Sequence, residues 1–115
     1  MRLSETQQEF TRDIARLIIW ADSLGLALTV GEFYRTPAQA RLNSRACIGI
    51  RNSNHTRRLA ADLNLFVGGV YQTTTDAHKP LGDYWKGLNP NNVWGGDFKR
   101  RDGNHYSRRY GKYPV

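Results

Sequence analysis

"SNHTRRLAADLNLF", residues 53–66, is polar and basic where it begins and strand-like where it ends. Alternation from Leu59 puts Leu59, Ala61, Leu63 and Leu65 on one strand face and Ala60, Asp62, Asn64 and Phe66 on the other. The leucine face reads as one wall of a core. The other face carries a difficulty. A carboxylate among leucines and alanines is costly to bury unless something compensates it, and His55 lies shortly upstream.

Working outward, residues 4 to about 24 have Phe10, Ile14, Leu17, Ile18, Ala21 and Leu24 at helical spacing. Ser4 with Gln7 has the form of a capping box, and Gly25 stands where a helix ends. "LALTVGEFYR", residues 26–35, is rich in β-branched and aromatic residues and is predicted as a strand with a bulge at Gly31. "TPAQARLNSRA" then opens a helix, with Thr36 as its cap and Pro37 at its first position. Residues 48–55 read as a loop, and "VGGVYQTT" as a turn and a short strand. Another helix is expected from Thr74 or Thr75 past Trp85 to near Gly87, with Pro80 at its start. "NPNNVWGGDF" is turn-rich, and the remainder reads as a strand or ordered coil ending in a basic tail at about 107–115. No repeat, linker or low-complexity segment divides the chain. The expectation is one α+β domain over residues 1–115.

The chain has 115 residues, 39% hydrophobic and 11% aromatic, enough for one modest core. No apolar run approaches the roughly 20 residues of a membrane-spanning helix, and "MRLSETQQEF" has no apolar secretion segment. Synthesis in a cytoplasm is therefore expected, with any action outside requiring another route of release. Cys47 is the single cysteine, which excludes an internal disulfide and a cysteine-rich zinc site; it reads as a small buried apolar residue. A net charge of +7 and a pI near 10.0 predict attraction to polyanions, nucleic acid or bacterial envelope polymers. "KRRDGNHYSRRYGK", residues 99–112, interleaves basic residues with tyrosines in a way that suits stacking on bases. A solvated tail is the plainer reading.

Three histidines are present, His55, His78 and His105. Catalytic zinc commonly takes three nitrogen and oxygen ligands and leaves one position for water. His55, Asp62 and His105 would supply such a set, with Asp102, three residues from His105, left beside it as a base. The same residues also read as a turn histidine and a strand aspartate bonded to backbone or arginine.

The ordered segments resemble the zinc D-Ala-D-Ala carboxypeptidase and L-alanyl-D-glutamate endopeptidase family, which includes small phage endolysins. Its first motif, Ser-x-His, four residues, then Ala-x-Asp, is matched by Ser53, His55, Ala60 and Asp62. Its second, a carboxylate, two residues, then His, is matched by Asp102 and His105. "KPLGDYWKGLNPNNVWGGDF" is similar to the segment joining the motifs, and "YRTPAQA" to an arginine-containing turn upstream; the likeness spans roughly residues 26–106. Many members have glycine where this chain has Arg58.

The resemblance implies a small antiparallel sheet flanked by helices, of the hedgehog and D-Ala-D-Ala peptidase type. It implies zinc held by His55, Asp62 and His105, Asp102 as general base, Arg35 on the substrate's carboxylate or the developing oxyanion, and Ser53 ordering the loop or touching substrate. The implied enzyme is a monomeric, endolysin-like peptidoglycan peptidase acting on the peptide stem. An endopeptidase cutting between L-alanine and D-glutamate is the first choice, and a D-Ala-D-Ala carboxypeptidase the second. From another class, the rivals are a basic nucleic-acid-binding module and a metal-binding domain of this fold without catalysis. Asn64 reads as an ordinary polar strand residue with a possible contact behind a ligand. Asp97 reads as a turn-stabilising carboxylate, and His78 as a surface or helix-start residue.

Overall fold

The computed structural model describes residues 1–46, 49 and 53–115; the reading of Cys47 lies outside them. In chain order the elements are α1 (Leu3–Ser23), β1 (Ala27–Val30), α2 (Pro37–Arg45), a 3-10 turn at Asn54–Arg57, β2 (Ala60–Val67), β3 (Val70–Tyr71), a 3-10 turn at Asp76–His78, α3 (Lys79–Leu88), β4 (Asn92–Trp94), a 3-10 turn at Gly95–Asp97 and β5 (His105–Arg108). The strand predicted from the alternation is β2, and the sheet is built on it. Order across the sheet is β1-β2-β5-β4, with β3 pairing back onto the end of β2. Every pairing is antiparallel.

Leu59, Ala61, Leu63 and Leu65 are all at most 1% exposed, as the alternation requires. Phe10, Ile14, Leu17 and Ala21 of α1 and Leu81 and Trp85 of α3 pack into one core with them. Burying each leucine is worth about 1.5–3 kcal/mol. This layer of helices leaves the opposite face of β2, the one with Asp62, for other work.

Helix α1 starts differently from the capping-box reading. Its N-cap is Arg2 with no side-chain cap, and Ser4 lies inside the helix. Gln7 is drawn away by a tertiary contact, donating from Nε2 to the Arg57 carbonyl at 2.6 Å. Gly25 does end the helix: at φ +72° it lets its own N–H reach Asp22 O and the Leu26 N–H reach Ala21 O, both at 3.0 Å. In α2, Thr36 accepts from the Gln39 N–H as its predicted cap.

The predicted strand 26–35 is shorter, pairing only over Ala27–Val30. The bulge is why. Gly31 N–H donates to Asp62 O while Asp62 N–H donates to Glu32 O, so two residues oppose one. A Cβ on Gly31 would stand 3.1 Å from Asp62 O, which favours glycine there. Past the bulge the chain leaves the sheet, and the Arg35 N–H donates to His55 O instead.

The basic tail also starts later than residue 107. Ser107 and Arg108 belong to β5 and are 0% and 2% exposed. Arg108 donates to Asp13 Oδ2 at 2.6 Å, Asn92 Oδ1 at 2.6 Å and Glu9 Oε1 at 2.9 Å, tying α1 to the sheet. Its charge is thus satisfied inside the protein.

Arg58 has φ 56° and ψ 38°, the left-handed region, and stacks its guanidinium over Tyr34 at 4.1 Å. An L-residue pays about 1–2 kcal/mol there, which accounts for glycine being suited to this position. Arg58→Gly and Arg58→Ala both lose the stacking, but only glycine relieves the backbone. Urea unfolding should find the glycine variant more stable than the alanine variant by about 1 kcal/mol; equal midpoints would contradict the assignment.

Candidate metal centre

His55 sits on the 3-10 turn that leads into β2. Ser53 caps this turn, its Oγ accepting the His55 N–H at 3.1 Å, so Ser53 orders the loop. Asn54 fastens the turn to β5 by donating to Arg108 O at 3.0 Å. Asp62 and His105 face each other directly in the β2–β5 register, and opposed residues of an antiparallel pair project from the same face. Two strands and one turn therefore converge their side chains.

The imidazole orientations follow from what lies behind each ring. His55 Nδ1 is 3.2 Å from Phe33 O, and His105 Nε2 is 3.0 Å from the main-chain oxygen of Val115. A carbonyl can only accept, so each of these nitrogens carries its hydrogen. In the neutral rings the remaining nitrogens, His55 Nε2 and His105 Nδ1, present lone pairs to Asp62 Oδ1, each at 3.3 Å. Asp62 Oδ1 is buried and has no hydrogen-bond partner. One atom from each residue lies within 4.8 Å of the others.

Three acceptors facing one another need positive charge between them. Protons on the imidazoles would supply it, and so would a cation. The donor set of two imidazoles and one carboxylate suits a divalent metal. The two separations from Asp62 Oδ1 are each close to the ligand–ligand edge of a tetrahedron with bonds of about 2.0–2.1 Å, while the three atoms together lie within 4.8 Å of one another. The residues fit an ion of that class.

In the metal-free protein the electrostatics describe the proton alternative. Burial alone would raise the Asp62 carboxyl, but once the rings are protonated, the facing nitrogens of His105 and His55 supply hydrogen and positive charge that outweigh it and hold it at about 2. For His55, burial opposes protonation, yet Asp62 prevails and the ring is raised above its usual value. At Asp102, burial raises the carboxyl, His105 opposes this, and the charge of Asp62 adds to the rise. Asp102 is thus a better proton acceptor than an ordinary aspartate.

A cleft of about 460 Å³ contains the cluster, with Arg35, Ser53 and Asp102 also in its wall. Asp102 is held by its neighbours: its N–H donates to Gly95 O at 2.9 Å, and its own carbonyl accepts from the His105 N–H at 3.2 Å. Gly95 allows that closeness, since a Cβ there would stand 2.2 Å from Asp102 O. Next to it, the Trp94 indole lies between Gly82 and Gly96, where a Cβ on either would come within 2.2 Å of the ring. The Trp-Gly-Gly sequence is thereby a packing device that sets the loop before His105.

Arg35, 14% exposed at its side chain, pairs with Glu32, and Glu32 Oε1 lies 3.8 Å from His55 Nδ1. Sequence reasoning missed Glu32, although its place three residues before Arg35 was a usable signal. It also missed Val115, for which the sequence holds none. Asn64 accepts from Asn104 Nδ2 at 3.2 Å and so braces the residue before His105. Asp97 accepts from Lys86 Nζ at 2.7 Å, tying its turn to α3. His78 stands at the start of α3 as one reading had it, but it is 4% exposed and not at the surface. Its Nε2 is 3.4 Å from Gln72 O, and burial lowers its pKa.

In the metal-free protein, Asp62 should make stability depend on pH in two windows. Its folded value near 2 lies below the ordinary 3.8, so its contribution is present above about 4 and lost as pH falls through about 2. His55, raised above 6.5, contributes below that value and loses its contribution as pH rises through the raised one. Asp62→Asn should flatten both arms of a plot of urea midpoint against pH; parallel plots for the two proteins would contradict the pairing.

Comparison with known proteins assigns the family and the fold. Residues 49–108, more than half of the chain and inclusive of all three cluster residues, match the family model described as D-alanyl-D-alanine carboxypeptidase. The structure is similar to that of Serratia marcescens L-Ala D-Glu endopeptidase ChiX, with a TM-score of 0.76 and 22% identity, over 99% of this chain and 91% of that one. No curated protein sequence is similar enough to match. At that identity the structural likeness establishes the fold, and the family model establishes the kinship: the chain belongs to the D-alanyl-D-alanine carboxypeptidase family of peptidases.

Proposed function

We propose that this protein hydrolyses an amide bond in the peptide stem of peptidoglycan, using a zinc ion held by His55, Asp62 and His105. The observation that carries the reading is Asp62 Oδ1, buried without a hydrogen-bond donor while two imidazole nitrogens face it at 3.3 Å. Membership of a peptidase family and a fold shared with an L-Ala D-Glu endopeptidase support it. An endopeptidase between L-alanine and D-glutamate is the preferred activity.

A bound zinc ion would supply Lewis acidity, polarising the scissile carbonyl and making water a better nucleophile near neutral pH. Asp102, in the wall of the same cleft, accepts the proton of the attacking water and returns it to the leaving amine. Arg35 holds the substrate's carboxylate or the developing oxyanion, its guanidinium kept in place by Glu32. Glu32 also stands close to His55, so the substrate-holding and metal-holding residues share one support.

The net +7 charge favours approach to the anionic envelope, an effect that salt should weaken. Cytoplasmic synthesis followed by release through a separate membrane lesion, as for an endolysin, suits this activity. No helix among the described residues is long and apolar enough to cross a membrane. Nucleic-acid binding is less favoured, because Arg108 is spent on a buried ion pair and Arg101 pairs with Asp76.

Zinc analysis of purified protein should find about one equivalent in the wild type and a steep loss in His55→Ala. Asp102→Ala should keep zinc while release of new amines from purified cell walls falls by about 10²–10⁴-fold. Mass spectrometry of a digested muropeptide should show cleavage between L-alanine and D-glutamate; loss of a terminal D-alanine would assign the carboxypeptidase instead. A wild type without zinc, or a fully active Asp102→Ala, would overturn the mechanism.

A further inference from the structure

After β5 the chain folds back over the centre. Val115 lies in the cleft wall, and its main-chain oxygen is 3.0 Å from His105 Nε2 and 3.4 Å from Ser107 Oγ. The segment leading to it is fastened at several points. Tyr110 and Tyr113 lie parallel with centroids 6.4 Å apart. Arg57 places its guanidinium over Tyr113 at 4.3 Å and donates to Pro114 O at 3.2 Å. The same guanidinium donates to Asn54 Oδ1 at 2.8 Å from Nη2 and 3.1 Å from Nε. The turn that carries His55 therefore also holds the segment that orients His105.

We propose that residues 110–115 form a positioning strap for the metal centre, with the main-chain oxygen of Val115 fixing the ring of His105 so that Nδ1 faces the ion. This rests on the reading that His55, Asp62 and His105 hold a divalent metal. A hydrogen bond to the far nitrogen of a ligating imidazole fixes tautomer and ring angle and strengthens the ring as a donor. Phe33 O does this for His55 from within the strand-to-helix connection. For His105 the partner comes from beyond residue 108, where the match to the family model ends. The strap thus lies beyond the residues that the family model matches. Val115 and Pro114 are positioning residues, acting through His105.

The test compares the full chain with a variant lacking Pro114 and Val115 and with Tyr113→Ala. Zinc affinity is measured by competition with a chromophoric chelator, and ligand geometry by the visible spectrum of the cobalt(II)-loaded proteins. Thermal melting of the metal-free forms monitors folding. The deletion should weaken zinc binding by about 10–100-fold and alter the cobalt bands, with the metal-free fold retained. Tyr113→Ala, which keeps the oxygen but loosens the segment, should show a smaller loss in the same direction. This variant keeps the proposal falsifiable if the deletion prevents folding. Wild-type affinity and cobalt bands in a folded deletion variant, or in Tyr113→Ala where the deletion does not fold, would overturn the strap alone. A wild-type protein that binds neither metal would overturn the metal reading and the strap with it.

Discussion

One oxygen atom organises this molecule. Asp62 Oδ1 is buried on the central strand, faced by two imidazole nitrogens and given no hydrogen. A buried carboxylate in that state is tolerable only with positive charge beside it. Metal-free, the rings can provide it as protons, which is what the depressed Asp62 and raised His55 express. A divalent ion provides it more completely. Binding such an ion displaces protons, so affinity and pH are coupled.

The fold keeps that atom in place by dividing the labour of one strand. The leucine face of β2 closes the core with α1 and α3, while its other face presents Asp62. Strand register fixes His105 opposite Asp62, and the capped turn fixes His55. Around them, the close contacts of Gly31 with Asp62 and Gly95 with Asp102 set the main-chain approach. The Arg108–Asp13 ion pair, with Asn92, then locks β5 and β4 to α1 from behind. A buried pair of this kind adds little net stability over an apolar substitute, but breaking it leaves a stranded charge.

Much of this was readable in the sequence, for physical reasons. The alternation in β2 reports burial directly, and so do the helical stripe of α1, the glycine that ends it and the threonine cap of α2. His55, Asp62, Asp102 and His105 stood out because their order and spacing resemble the two motifs of a known peptidase family. The spacing alone also allowed a turn histidine and a strand aspartate bonded to backbone or arginine. Where the reading failed, a distant partner had intervened. Gln7 bonds Arg57 instead of capping its own helix. Arg108 turns inward to Asp13, although in sequence it belongs to a basic run. Asp13 itself sits between Phe10 and Leu17 on the buried stripe, and the reasoning applied to Asp62 would have flagged it. Val115 leaves no such mark, because it acts through a main-chain atom that every residue possesses.

The central claim is that two imidazoles and one carboxylate share a single ion, and X-ray absorption at the zinc edge tests it most directly. For the zinc-loaded protein the account predicts only nitrogen and oxygen neighbours at about 2.0–2.1 Å, with the outer-shell scattering of two imidazole rings. A sulfur neighbour at about 2.3 Å, or scattering from fewer than two rings, would contradict it.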